Sequence, residues 1–305
     1  MTGILQQPLI LMEGAVIERL RRDGTVPLDP QVLNAALLFS AEGREALASV
    51  YTEYIAVGRE SGLPLLLLTP TWRANPERCD AAGLEFKAVQ REAFAFLDAL
   101  RRRQGDYAKK ILIGGLMGCR GDAYDPKEGL QEKEASRFHA PQAEALASGG
   151  VEFLIASTLP AMEEAAGLGR AMGGTSLSFI LSFVLRADGA LLDGTLFHQA
   201  VVRLDGLSPK PLGHMVNCTH PANLLEGMGM GDNARPEIRA RLLGLQGNTS
   251  LRSPEELDGA AELEGEDPET FGVSMAEAAR LLRLRILGGC CGTDARHLRA
   301  IARLL

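Results

Sequence analysis

The sequence predicts an α/β protein folded as a single (β/α)8 TIM barrel. Two observations carry that expectation. Short apolar runs alternate with longer amphipathic stretches along the whole chain, eight of each, the pattern of strands and helices in repeating βα units. Several runs, such as residues 65–68 and 153–156, are apolar at nearly every position, which suits strands buried on both faces of a parallel sheet. The length of 305 residues accommodates a barrel of about 250 residues with insertions. An open doubly wound sheet would alternate in the same way, so the count alone does not separate the two.

The strand candidates are residues 8–12, 65–69, 110–114, 152–156, 177–185, 213–217, 241–245 and 284–288. Helical periodicity falls between them, over 44–59, 85–103, 131–148, 161–171, 195–202, 221–228, 274–282 and 294–305. Asp294 is placed to cap the last helix, and Gly149 with Gly150 to close the third. The stretch 247–272 is acidic and contains Pro254, Gly265 and Pro268. It is expected to be a long loop after strand seven, functional or merely an insertion. No repeat or linker divides the chain, so residues 1–305 are expected to form one domain.

A net charge of −7 argues against a nucleic-acid partner, which would want a basic face. The run Arg101-Arg102-Arg103 is expected to be a solvated helix face. The N-terminal apolar stretch is broken by Gln6, Gln7 and Glu13, unlike a signal peptide, and the longest apolar runs are about half a membrane span. A soluble, cytoplasmic protein with no membrane partner is expected. Such a chain is free to form a homo-oligomer.

Of the five cysteines, three follow predicted strand ends: Cys218 in V-N-C-T-H-P, and Cys290 with Cys291 in G-G-C-C-G-T. In a barrel those ends form one face, so residues distant in sequence converge there. Three thiolates suit zinc and leave a fourth position open. The competing reading is that all three are small buried residues packing the strand ends.

The same strings resemble the homocysteine S-methyltransferase family. The likeness runs nearly the whole chain in order, through L-M-E-G-A-V, G-G-L-M-G-C-R-G-D-A-Y, H-A-P-Q-A-E-A-L-A-S-G-G-V, D-G-A-L-L-D-G-T and I-L-G-G-C-C-G-T. The resemblance implies Zn2+ on Cys218, Cys290 and Cys291, and methyl transfer from a small onium donor to a thiol, homocysteine in the family. Its partners would be that small-molecule thiol and the methyl donor. The metal lowers the thiol pKa, so the bound sulfur attacks as a thiolate.

The family generally carries an acidic residue after strand four to receive the substrate amine, and this chain has Ser157 there, in A-S-T-L-P. A hydroxyl cannot replace a buried ion-pair partner, whose loss costs on the order of 3–5 kcal/mol. The acceptor is therefore homocysteine held otherwise, or a thiol lacking the amine; the other alternative is a zinc-binding descendant of the family that catalyses nothing. Glu13 stands for the usual aspartate after strand one, with the amides of Gly14 and Ala15 as candidates to cradle a carboxylate. Asn217 is expected to orient Cys218. Trp72 is placed either to face an onium donor or to pack. Cys119 is expected in the pocket wall, as a further ligand or as a redox-sensitive thiol. Tyr124 is expected at the mouth, Asn248 in the pocket or a turn, and His220 as a cap or surface residue. Cys79 is expected in a polar loop without a role.

Overall fold

The computed structural model describes residues 7–252, 256 and 265–305. Its eight strands close into a parallel barrel in sequence order. They are β1 (Ile10–Met12), β2 (Leu65–Leu68), β3 (Ile111–Met117), β4 (Phe153–Leu159), β5 (Phe179–Phe183), β6 (Gly213–Thr219), β7 (Leu242–Gly247) and β8 (Ile286–Gly289). The closing pair is β1 with β8, in the register Ile10↔Ile286.

The run of four leucines in β2 shows why nearly unbroken apolar strands are needed. Leu66 and Leu68 pack with Ile10, Met12, Leu112 and Phe153 in one buried cluster, while Leu65 and Leu67 belong to a second with Leu47, Tyr51 and Leu97 from the helices. The period of two in side-chain direction sends alternate residues to the barrel interior and to the helical ring. Gly114 on β3 is required by this packing, because a Cβ there would strike the Phe153 ring.

The helices are α1 (Ile17–Asp23), α2 (Ala41–Ser61), α3 (Pro76–Ala81), α4 (Phe86–Arg102), α5 (Glu132–Gly149), α6 (Met162–Gly173), α7 (Phe197–Asp205), α8 (Pro221–Gly229), α9 (Pro236–Arg239), α10 (Pro268–Leu282) and α11 (Ala295–Leu304). Asp294 caps α11 by accepting from Arg296 N–H, and Gly150 closes α5.

Some expectations shift. The helix expected from residue 274 begins at Pro268, because Asp267 accepts from the Glu269 and Thr270 N–H groups and Pro268 sits at the first helical position, where its missing donor costs nothing. The loop expected over 247–272 thus ends before α10, and its residues 253–255 and 257–264 lie outside the described residues. The strand expected over 177–185 is shorter, Phe179–Phe183. Cys79 is not in a loop: it is fully buried on α3, packed with Val32, Ala35, Ala74 and Val89, and burial pushes its thiol up to about 11. Arg101 is not solvated but paired with Asp98 and Glu152, at 2.6 and 2.7 Å. Among the described residues, no helix is long and apolar enough to cross a membrane.

Candidate metal centre and substrate cavity

At the C-terminal ends of the strands lies a cavity of about 440 Å³, lined by Cys218, Cys290 and Cys291 together with Glu13, Gly14, Ala15, Trp72, Ser157 and Asn217. The three sulfurs lie within 4.8 Å of one another. Cys218 and Cys290 are in bonding contact as a disulfide pair, with Cα atoms 5.4 Å apart, so a metal would take this pair only in its reduced form. Two thiolates on one tetrahedral zinc, with bonds of about 2.3 Å, stand about 3.8 Å apart. The donor set, once this pair is reduced, fits a three-thiolate metal site, with the sulfurs on the cavity wall.

The backbone is bent to aim these groups. Cys218 has φ 53° and Thr158 has φ 61°, a left-handed conformation that non-glycine residues adopt at a cost of order 1–3 kcal/mol. Both coincide with breaks in register, between Asn217 and Thr219 on β6 and between Ala156 and Leu159 on β4, as expected of bulges that re-aim a side chain at a barrel rim. Asn217 holds both bends. Its Oδ1 accepts from Thr158 N–H at 2.9 Å and from Ser182 Oγ–H at 2.7 Å, and its Nδ2 donates to Thr158 Oγ1 at 2.8 Å and to Cys218 Sγ at 3.3 Å.

The Cys290–Cys291 turn is held from several sides. Cys290 N–H donates to Gly247 O at 2.7 Å. Thr293 Oγ1 donates to Cys290 O at 2.7 Å and accepts from Ala15 N–H at 3.1 Å. Gly292, at φ +84°, donates its N–H to Glu18 Oε2 at 2.9 Å. Burial, with a smaller contribution from the nearby Glu18 charge, pushes the Cys291 thiol up to about 11.

Several sequence-based expectations are altered here. The Ala15 amide is committed to Thr293, so it is not available to cradle a carboxylate. Glu13 is 5% exposed and accepts from Leu68 N–H at 2.7 Å, and burial raises its carboxyl pKa well above the usual range. Cys119 is buried away from the cluster and does not line the cavity; its Sγ turns to Gly121 O at 3.6 Å and burial pushes its thiol up to about 12. Asn248 does not line the cavity; it accepts from Ser250 N–H and donates to Cys218 O at 3.4 Å. His220 caps α8 through Ala222 N–H and is buried, not on the surface. Tyr124 lines the cavity.

Trp72 lines the cavity, but its Nε1–H is donated to Ser157 O at 3.1 Å and the Arg73 guanidinium lies over its ring, 4.6 Å from the centroid. One face of the indole thus already holds a cation of the protein's own. The Ser157 hydroxyl is buried without a hydrogen-bond partner. Thr158, Ser182, Glu18 and Thr293 belong to the site and are missing from the sequence-based set. Only Thr293 carried a signal, as the last residue of G-G-C-C-G-T.

The chain resembles known proteins over nearly its whole length. A relative from Bacillus subtilis (strain 168), homocysteine S-methyltransferase YbgG, is 26% identical over 315 residues, covering 97% of this chain and 94% of the relative. The fold is shared with the homocysteine methyltransferase MmuM from Escherichia coli. Its oxidized form superposes with a TM-score of 0.77 at 20% identity, covering 98% of this chain and 96% of that one. Its metallated form gives 0.76 at the same identity and coverage. The family model described as homocysteine S-methyltransferase matches residues 10–305, and the chain therefore belongs to that family of methyl-transferring enzymes.

Proposed function

We propose that this chain methylates a thiol, homocysteine, from a small onium donor, at a Zn2+ held by the reduced thiolates of Cys218, Cys290 and Cys291. The observation that supports this reading is the convergence of three sulfurs within 4.8 Å on the wall of a cavity at the C-terminal face of the barrel. When bound, zinc supplies the positive charge that lowers the pKa of a coordinated thiol and keeps it ionised near neutral pH.

The residues of the chain do the rest. Asn217 and Thr293 fix the directions of Cys218 and Cys290. Glu18 holds the turn that follows Cys291. The Gly14 position admits no larger residue, since a Cβ there would press on Tyr54 and Thr293. We read the whole chain, 1–305, as one domain acting on small molecules in the cytoplasm.

A second reading is favoured by Ser157. Its hydroxyl is neutral and without a partner in the cavity wall, so it offers an ammonium group no charged partner, and the acceptor on this reading is a thiol without the amine.

The test has two stages. Protein purified under reducing conditions is analysed for metal beside Cys218→Ser, Cys290→Ser and Cys291→Ser. The proposal expects about one zinc per chain, as for a single site of this kind, and its loss in each variant. Methyl transfer is then compared between homocysteine and 4-mercaptobutyrate. Equal or better turnover of the latter selects the second reading, and absence of metal in all proteins overturns both.

A further inference from the structure

Arg21, Arg73 and Arg78 line the cavity, together with the carboxylates of Glu13, Glu18 and Asp122. Arg73 Nη1 donates to the carbonyl oxygens of Cys119, at 3.3 Å, and Gly121. Arg78 donates to Gln31 O at 3.2 Å and Arg120 O at 3.4 Å. Among the described residues neither guanidinium forms an ion pair, and carbonyl dipoles do not neutralise a charge. Both side chains are half-buried, and burial, then the neighbouring Arg73 charge, holds Arg78 below its ordinary range.

The carboxylates lining the same cavity are otherwise engaged. Glu13 accepts from Leu68 N–H at 2.7 Å. Glu18 is tied to Arg22 and to Gly292 N–H. Asp122 accepts from Tyr124 N–H at 2.8 Å. The Arg73 wall also contains the partnerless Ser157 hydroxyl, joined to it through Trp72. Two adjacent, half-desolvated guanidinium forks with unused N–H groups match the geometry of an oxyanion and not that of a cation.

We propose that Arg73 and Arg78 form a binding subsite for a carboxylate carried by one of the two methyl-transfer substrates. The inference rests on the cavity being the methyl-transfer site and narrows its ligands. An onium ion that carries a carboxylate tail places that tail on the arginines. The Arg73 charge over Trp72 makes that indole a partner for the protein's own cation.

The experiment is calorimetric titration of the reduced, zinc-loaded enzyme and of its Arg73→Gln, Arg78→Gln and Arg78→Lys variants. The acceptor arm compares 4-mercaptobutyrate with 4-mercaptobutanol, and the donor arm compares 3-(dimethylsulfonio)propionate with trimethylsulfonium. In one arm the unsubstituted enzyme prefers the carboxylated member by about tenfold or more, the worth of a charge-assisted bond to arginine. That preference disappears in both glutamine variants and is partly kept by lysine, while affinity for the uncharged acceptor or the tail-less onium is retained, which shows that the variants are folded. The arm that responds identifies the substrate carrying the anion. No preference in either arm, or a preference that survives both glutamine substitutions, overturns the subsite. Binding is read without turnover, so a carboxylate preference in an enzyme that transfers no methyl group would sink the proposed reaction and leave the subsite standing.

Discussion

Asn217 and Thr158 are bonded to each other twice, although their strands are separated by β5: Thr158 N–H reaches Asn217 Oδ1 at 2.9 Å, and Asn217 Nδ2 reaches Thr158 Oγ1 at 2.8 Å. The same amide touches Cys218 Sγ at 3.3 Å. One buried side chain thereby stabilises two left-handed residues, Thr158 and Cys218, and couples the geometry of a sulfur to the integrity of the barrel rim.

Asn217→Leu leaves Thr158 N–H and Ser182 Oγ without their acceptor inside the barrel. Each orphaned buried group costs about 1–3 kcal/mol, so urea unfolding should show a loss of roughly 2–6 kcal/mol by the same reckoning. Asn217→Asp keeps the acceptor but loses both donations and puts a carboxylate beside the sulfurs. Its expected signature is a smaller stability loss and a metal affinity lowered about 10- to 100-fold, measured by competition with a chromogenic chelator. Unchanged metal affinity in both variants would show that Asn217 serves the fold alone.

Thr293→Val removes the hydroxyl that links Ala15 N–H to Cys290 O while keeping the shape of the side chain. The loss should be about 1–2 kcal/mol in stability and about tenfold in metal affinity, because the Cys290 turn loses its tie to Ala15. Thermal melts with and without added zinc separate the two effects. A variant whose zinc-induced stabilisation equals that of the parent would remove Thr293 from the metal site.

How much of this site was legible in the sequence follows from which features carry local signals. The three cysteines follow apolar runs and glycines, so their place at strand ends could be read directly, and the barrel then brought them together. The bends at Thr158 and Cys218 could not be read, because left-handed backbone announces itself through glycine or asparagine and neither stands at those positions. Asp267-Pro268 marks a helix start, but among the surrounding acidic residues it resembles loop. Arg73 and Arg78 look like ordinary surface charges until three segments, around Gln31, Arg73 and Gly121, fold over one cavity. Ala15 looked available for substrate because its partner, Thr293, lies 278 residues away.

Glu13 makes stability fall as pH rises. Burial raises its carboxyl pKa in the folded chain, so the native state binds more protons than the unfolded one above the ordinary glutamate range near ~4.3. Stability is therefore complete below that range and is lost as pH climbs towards the folded pKa. Glu13→Gln keeps an acceptor for Leu68 N–H and removes the titration. The expected outcome is little change in unfolding free energy at pH 4.5 and a gain at pH 8, both by urea denaturation (round values chosen either side of the window). Equal effects at both pH values would mean that the carboxyl titrates normally.

His214 works in the opposite direction at the far end of β6. It is fully buried beside Phe183 and Phe197, with Nε2 3.2 Å from Asp205 Oδ1, which also binds Arg241 Nη2 at 2.9 Å. Burial outweighs the Asp205 attraction and lowers the imidazole pKa in the folded state. The unfolded chain then takes up a proton near pH ~6.5 that the native chain refuses. The stability contributed by neutral His214 is present above that pH and is lost as pH falls below it. Asp205, its pKa held down against burial by hydrogen bonds from His214 and Arg241, contributes above its unfolded pKa near ~3.9 and is lost only in stronger acid. His214→Phe, which adds an aromatic ring to an aromatic cluster, should flatten the decline between about pH 6.5 and 5 and leave the later acid limb in place. Chemical denaturation across that range decides it, and an unaltered slope would assign the decline to other groups.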